Sequence, residues 1–276
     1  MSALAFELPE ALEAREPPAQ RDGVKLLVAT RSSGGIEHHV FRELPELLSP
    51  GDVVVINVSA TLPAAIAAWH GDGTPVRIHF STRVPRLDPS WRVVELRSAD
   101  GSRPARGHSG ETLTLSGGAT LELVAPYLSE GRLMLARVDV PVEDYLEAQG
   151  EPIRYGYVQH PWPLAQYQNV YATTPGSAEM PSAGRPFTPE LITRLVARGI
   201  AVAPITLHCG VSSPERHELP FPEQYEVPEA TARLIAARTG RVIAVGTTVV
   251  RALETTGGVA GGGWTGLIVA PEDELS

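Results

Sequence analysis

Residues 64–141 constrain the fold more than any other part of the chain. Five short β-type runs, VRIHFS, WRVVELR, TLTLS, TLELVA and RLMLARV, follow one another there at close, regular spacing. Asp-Gly, Gly-Gly and Pro turns divide them, and no amphipathic helix intervenes. Such a pattern predicts a small antiparallel barrel or sandwich. The flanking regions have a different texture. Ahead of residue 64, KLLVAT and DVVVIN read as strands, with FRELPELL as a short helix between them and Gly51-Asp52 as the turn into the second strand. Beyond residue 141 helical grammar returns. VEDYLEAQG ends at Gly150, and TPELITRLVARG runs from an N-cap at Thr188, with Pro189 behind it, to Gly199. PEATARLIAARTG repeats the pattern before VIAVG, and IAVAPITLH supplies another buried strand. The expected fold is an α/β core domain, discontinuous over residues 1–63 and 142–276, with an all-β barrel-like domain inserted over residues 64–141.

A chain of 276 residues with a net charge of −9 does not grip nucleic acid over its whole surface. Between His70 and His108, however, seven arginines (77, 83, 86, 92, 97, 103 and 106) face four acids (Asp72, Asp88, Glu95 and Asp100). This stretch is locally basic and is either an anion-facing surface or an ordinary solvated face. One cysteine, Cys209, excludes an internal disulfide and a structural zinc site. The eight histidines lack metal-ligand spacing, so no metal is expected. No stretch approaches the roughly 20 apolar residues that cross a bilayer. The N-terminus, MSALAFELPEALEARE, is acidic where a signal peptide would be basic and then apolar, so a cytoplasmic location without membrane contact is expected.

GxxxxGK[ST], GxSxG and HExxH do not occur. GGGWTG matches GxGxxG but follows a helix and leads toward an apparent strand, the reverse of a dinucleotide fingerprint. RVIAVGTTVVRALE is more informative. A β-branched run ends at Gly246, a hydroxyl at Thr247 or Thr248 caps the helix that follows, and Arg251 and Glu254 sit one turn apart, where they can pair. A strand, a glycine turn and a helix N-terminus together offer backbone N–H groups to a polar or anionic ligand. In PSAGRPFTPELI, the small residues Ser182, Ala183 and Gly184 permit close backbone approach ahead of a second capped helix. TLHCG delivers His208 at a strand end, where α/β proteins place ligands.

Taken in order, ELPEALEAREP, QRDGVKLLV, IEHHVFRELPELLSPGDVVVIN, YQNVYA, PSAGRPFTPEL, ITLHCG, YEVPEATARLI and RVIAVGTTVVRALE resemble the S-adenosylmethionine:tRNA ribosyltransferase-isomerase family of queuosine biosynthesis. The resemblance is collinear over most of the chain. It implies an α/β core with an inserted β-barrel. It also implies transfer and isomerisation of the ribosyl part of S-adenosylmethionine onto the aminomethyl group of a 7-deazaguanine base in tRNA, giving epoxyqueuosine and releasing adenine and methionine. S-adenosylmethionine is then a co-substrate, tRNA the partner, and no prosthetic group or metal is needed.

Carried onto this chain, the resemblance implies His208, Asn57 and Arg251 as catalytic residues, with His208 the first candidate for the base that the acidic C5′ protons require. Binding positions are Arg21, Asp22, Ser182, Ala183, Gly184, Phe187, Thr188, Gly246, Thr247 and Thr248. The chain departs from the family pattern after Asn57, where Val58, Ser59 and Ala60 replace an aspartate-threonine-arginine run, and at Arg185 and Pro186, which replace a leucine-histidine pair. Residues 264–270 read as a buried strand that meets only Pro271 and an acidic tail. Family members continue beyond that strand, so a shortened form is expected, weakly active or dependent on self-association where the family is monomeric. Two rival readings are an enzyme using S-adenosylmethionine or a nucleotide on a small molecule, and a non-catalytic binding protein on the same scaffold.

Overall fold

In the computed structural model, which describes residues 16–128, 132–154, 160–211 and 220–270 together with residues 9, 12, 14, 158 and 273, the chain opens with a β-hairpin. The hairpin is β1 (Lys25–Thr30) and β2 (Gly35–Val40); a one-turn helix, α1 (Leu44–Leu47), and the strands β3 (Val53–Asn57) and β4 (Ser59–Thr61) follow. The strand-rich stretch supplies β5 (Ala65–Trp69), β6 (Pro75–Arg83), β7 (Trp91–Ser98), β8 (Thr112–Leu115), β9 (Thr120–Pro126) and β10 (Leu133–Val138). Next come α2 (Val142–Gln149), β11 (Thr174–Ser177), α3 (Pro189–Ala197) and β12 (Ala201–Leu207). The described elements end with β13 (Glu223–Val227), α4 (Glu229–Ala236), β14 (Val242–Ala244), α5 (Thr247–Thr256) and β15 (Gly261–Thr265).

The six strands from β5 to β10 close into an antiparallel barrel in the order β10-β7-β6-β5-β8-β9. Closure removes both sheet edges, and the alternating apolar residues Val76, Ile78 and Phe80 of β6, with Leu113, Leu115, Leu121 and Leu123, fill the interior. The strand β5 is absent from the sequence reading because AIAAW is alanine-rich and carries little β propensity. It is fixed instead by its partner, Ile66 lying opposite Ile78.

The core is a five-stranded mixed sheet, β14-β3-β12-β13-β15, in which β3 runs parallel to both β12 and β14. Every residue of VVVIN in β3 is buried. The reason is that both faces are covered: Val53 and Val55 pack against Val249, Ala252 and Leu253 of α5, while Val54 and Ile56 pack against Phe187, Leu191 and Leu195 around α3. Thr188 caps α3 as its sequence predicts, its Oγ1 accepting from Leu191 N at 3.1 Å.

Three local expectations change. KLLVAT does not join the core sheet; β1 pairs with β2 in a separate two-stranded ribbon that leaves Leu27 and Ile36 exposed. Gly246, not a threonine, is the N-cap of α5, because the chain needs φ +91° at that point and only glycine adopts it without strain. The first five residues of GGGWTG are strand β15, running antiparallel to β13, and the strand ends at Thr265 instead of extending over residues 264–270.

At the end of the sheet where β3 and β14 begin, Asp52 ties them together. Its buried carboxylate accepts from Arg241 N and Nη2, both at 2.7 Å, and from Ser49 N at 3.0 Å. The Arg241 guanidinium hydrogen bond, foremost, holds the carboxyl down to about 2 from an ordinary 3.8. The stabilisation is therefore present above pH 3.8 and lost as the pH falls toward 2. Asp52→Asn is expected to cost about 2 kcal/mol at neutral pH. Denaturant titrations should show that difference shrinking as the pH approaches 2.

Among the described residues no helix is long and apolar enough to cross a membrane, and no group of three or more His, Cys, Asp or Glu side chains could hold a metal ion.

Candidate functional site

The two small-residue turns meet. Strand β14 delivers the chain to Gly246, and a Cβ built there would lie 2.8 Å from the Cβ of Ala183 in the Ser182–Gly184 turn. No side chain caps α5 at Gly246; Val249 N and Val250 N donate to Gly246 O at 3.2 and 3.3 Å, and the N–H groups of Thr247 and Thr248 at the start of this ten-residue helix face the helix N-terminus. A cavity of about 320 Å³ opens at this point, with Ser182, Ala183, Gly246, Thr247 and Thr248 in its wall. Cys209, Gly210, Glu223 and Arg251 complete much of the lining.

Arg251 is placed at the cavity, but its guanidinium is engaged with the protein. It donates to Leu267 O at 2.8 Å, to Phe221 O and Thr265 O at 3.0 Å each, and to Glu223 Oε2 at 2.6 Å. The ion-pair partner is thus Glu223 of β13, in place of the helical neighbour Glu254 that spacing suggested. Glu223 also accepts from Gly210 N at 2.8 Å, yet burial raises its carboxyl above the ordinary range. Burial likewise pushes the Cys209 thiol far up, which keeps it protonated and unreactive.

Asn57, 2 % exposed, stitches β3 to β12: its Oδ1 accepts from Leu207 N at 3.0 Å and from Ser59 N at 3.1 Å, and its Nδ2 donates to Leu207 O at 2.8 Å. The same amide lies 3.3 Å from Thr248 Oγ1 and so orients a cavity hydroxyl.

His208 lies outside the lining of the Gly246 cavity, against two neighbouring cavities of about 430 and 150 Å³. It is joined to the Gly246 cavity by a hydroxyl chain. Cys209 N donates to Ser177 Oγ at 2.9 Å, Ser177 Oγ lies 2.6 Å from Ser59 Oγ, and Ser59 Oγ lies 2.7 Å from His208 Nδ1. Ser177 Oγ accepts from a backbone N–H and keeps a second lone pair, so the two hydroxyls can relay a proton in either direction between Ser177 and Nδ1. The neutral imidazole carries its proton on Nδ1 when it donates to Ser59 and on Nε2 when it accepts from it. Burial, assisted by the positive charge of Arg83, lowers the His208 pKa to about 4, so the ring is neutral at pH 7. Gly176 is needed beside it, because a Cβ there would come within 2.5 Å of the imidazole.

Other expected positions brace the site's surroundings. Arg21 donates to Gln168 O at 2.8 Å and Ala165 O at 2.9 Å, holding the aromatic loop, while Asp22 sits beside it in the turn Arg21–Gly23. Phe187 is a core residue, edge-on to Phe41 and Tyr171 with ring centroids 5.2 and 5.7 Å away. Gly184 makes room for Tyr171, whose hydroxyl would lie 1.9 Å from an added Cβ.

The basic stretch between His70 and His108 is largely neutralised. Arg77 pairs with Glu151 at 2.8 Å, Arg83 and Arg92 with Glu143 at 2.8 and 2.6 Å, and Arg97 with buried Glu95 at 3.0 Å. Arg86, Arg103 and Arg106 remain at the exposed surface. Sequence counting missed this because Glu143 and Glu151 lie outside the counted window and reach the arginines only through the fold. It also missed Ser59, Ser177 and Glu223, for which nothing but spatial convergence is a signal.

A family model described as queuosine biosynthesis protein matches residues 1–276. An S-adenosylmethionine:tRNA ribosyltransferase-isomerase from Rubrobacter xylanophilus is 39% identical over 220 residues, 78% of this chain and 62% of that protein. One of the same name from Pelobacter propionicus is 36% identical over 208 residues, 74% of this chain and 59% of that protein. The chain thus spans about three-fifths of the length of these curated relatives. The crystal structure of an S-adenosylmethionine tRNA ribosyltransferase from Thermotoga maritima aligns with 98% of this chain and 79% of its own, at 27% identity and a TM-score of 0.47.

Proposed function

We propose that this chain, which belongs to the queuosine biosynthesis protein family, transfers and isomerises the ribosyl part of S-adenosylmethionine onto the aminomethyl group of a 7-deazaguanine base in tRNA, releasing adenine and methionine. The names of its relatives support S-adenosylmethionine and tRNA as the two substrates. The observation that carries the reading is the meeting of Gly246 and Ala183 at the uncapped N-terminus of α5, around a cavity lined by two threonine hydroxyls. Backbone N–H groups and hydroxyls in that arrangement suit the methionine carboxylate or the ribose. Arg251 and Glu223 hold the cavity wall from β13 to Leu267, and Asn57 aims Thr248. Neutral His208 manages the proton removed from C5′. That role uses the tautomer in which Nδ1–H donates to Ser59 Oγ, which leaves the Nε2 lone pair free to accept the C5′ proton.

Adenine release measured with and without the tRNA tests the assignment. Release that depends on RNA bearing the aminomethyl base supports it, and RNA-independent release with a small amine acceptor contradicts it. A surface prediction accompanies this. Converting exposed Arg103 and Arg106 to Glu is expected to weaken tRNA binding several-fold and to lower the salt slope by about 1 to 2, leaving S-adenosylmethionine affinity unchanged. Filter binding across a salt series measures both quantities.

A further inference from the structure

The smaller cavity beside His208, of about 150 Å³, lies where the barrel meets the core. From the barrel, β6 brings Thr82 and Arg83 to it and β7 brings Arg92; Gln224 of β13 and Glu143 of α2 face them across it. The end of β6 is fixed there, because Ser81 Oγ accepts from Val211 N at 3.1 Å, just beyond the strand end that carries His208. The charge of this cluster is unbalanced. Arg83 Nε and Nη2 and Arg92 Nη2 all donate to one oxygen, Glu143 Oε1, at 3.2, 2.8 and 2.6 Å, so two guanidiniums share a single carboxylate. Arg92 is buried and held by Pro89 O and Trp91 O as well. Arg83 is half-exposed, and its Nη1 has no partner among the described residues, so a cation with a spare donor stands between the cavity and solvent.

His208 reports the sign of the field. The charged and titratable groups around its ring are Arg83, Arg92 and Glu143 on this side, with Tyr225 and Glu226 of β13 and Glu229 of α4 around the neighbouring cavity. After burial, the charge that acts on the ring is that of Arg83, and it acts against protonation. Glu143 does not cancel it. Size and polarity then limit the occupant. The cavity amounts to roughly five water volumes, below the roughly 300 Å³ at which sites for whole drug-sized ligands begin. It admits one tetrahedral oxyanion and a little water, and no base. Thr82 Oγ1, the Gln224 side-chain amide and His208 Nε2 have no partner among the described residues, and all three retain accessible surface. Guanidinium, amide and hydroxyl donors in a positive field suit phosphate oxygens.

We propose that this junction cavity is an oxyanion site in which Arg83, Thr82 and Gln224 hold one phosphate group beside the fixed charge of Arg92. Two sources share that chemistry, a phosphodiester of an RNA backbone and free inorganic phosphate. The first deepens the ribosyl-transfer reading and rests on it, since it seats the RNA chain against the residue that takes the proton. An anion there offsets the Arg83 charge and makes the imidazole a stronger base, which ties proton removal to the arrival of the phosphate, while burial still keeps the ring neutral at pH 7.

The test uses two probes on the full chain. Inorganic phosphate is followed by phosphorus NMR. A short RNA hairpin bearing the aminomethyl base, made with natural linkages or with neutral methylphosphonates flanking that base, is followed by calorimetry. Wild type is compared with Arg83→Met, Thr82→Val and the charge-keeping Arg83→Lys, and thermal melts verify folding. Phosphate binding is expected to weaken about tenfold in Arg83→Met, about threefold in Thr82→Val and about twofold in Arg83→Lys. With RNA as the source, methylphosphonate linkages cost the wild type about tenfold in RNA affinity and cost Arg83→Met nothing further. With free phosphate as the source, phosphate binding needs Arg83 and Thr82 while the linkage makes no difference. The proposal is overturned when neither phosphate binding nor RNA affinity depends on Arg83 and Thr82 in the folded variants. That result beside RNA-dependent adenine release would sink this inference and spare the ribosyl-transfer reading. Phosphate binding that needs both residues, in a protein releasing no adenine, would uphold the site and refute that reading.

Discussion

Replacing Gly246 by valine is expected to lower the affinity for S-adenosylmethionine by about two to three orders of magnitude in a protein that still folds. Two independent effects act together. The backbone at Gly246 has φ +91°, which a β-branched residue adopts only under strain. The first side-chain carbon would also sit 2.8 Å from Ala183 Cβ, forcing the Ser182–Gly184 turn away from α5 and opening the cavity that the two turns enclose. The strain is local, because the sheet and the α3 and α5 packing surfaces do not depend on it. Calorimetric titration with S-adenosylmethionine, beside a thermal melt, separates the two consequences. A folded variant with undiminished affinity would remove the co-substrate from this cavity.

His208→Ala is the second large effect, a loss of about two to three orders of magnitude in turnover with S-adenosylmethionine affinity retained. Its imidazole lies outside the lining of the Gly246 cavity, so binding there does not need it. Its tautomer, by contrast, is coupled to the Ser177–Ser59 hydroxyl chain. Ser59→Ala cuts that chain and is expected to lower turnover about tenfold while leaving the ring present. The pH profile carries a separate signature. Because burial lowers the pKa to about 4, the ring stays neutral from pH 6 to pH 9, and its contribution to turnover fails only as the pH falls toward 4. An inflection near the ordinary histidine value of 6.5 that vanishes in His208→Ala would contradict the burial argument.

Much of this architecture can be read in the amino-acid sequence, for reasons that are local. Turn-divided β runs report a barrel because antiparallel neighbours need only short connections, and DVVVIN reports a strand because its run is β-branched, although its cover on both faces is seen only in the fold. The capped helix at Thr188 and the glycine before Thr247 are likewise local chemistry. What is not legible depends on contacts between distant segments. AIAAW becomes a strand only through its barrel partners, and KLLVAT stands apart from the core sheet, paired with β2 along its whole length. Arg251 finds Glu223, 28 residues away, instead of the acid one turn along its own helix. The basic stretch loses most of its free charge to Glu143, Glu151 and Glu95. In the site, the Gly-Thr-Thr and Ser-Ala-Gly turns were recognisable individually. Their approach, the hydroxyl chain to His208 and the gathering of Arg83 and Arg92 on Glu143 belong to the fold alone.

The most direct test of the account is to incubate the purified chain with S-adenosylmethionine and tRNA bearing 7-aminomethyl-7-deazaguanine, digest the RNA and weigh its nucleosides by mass spectrometry. The account predicts conversion of the aminomethyl nucleoside to epoxyqueuosine, with one adenine released for each residue converted. An unmodified aminomethyl nucleoside after prolonged incubation, from a folded protein that binds both substrates, would contradict it.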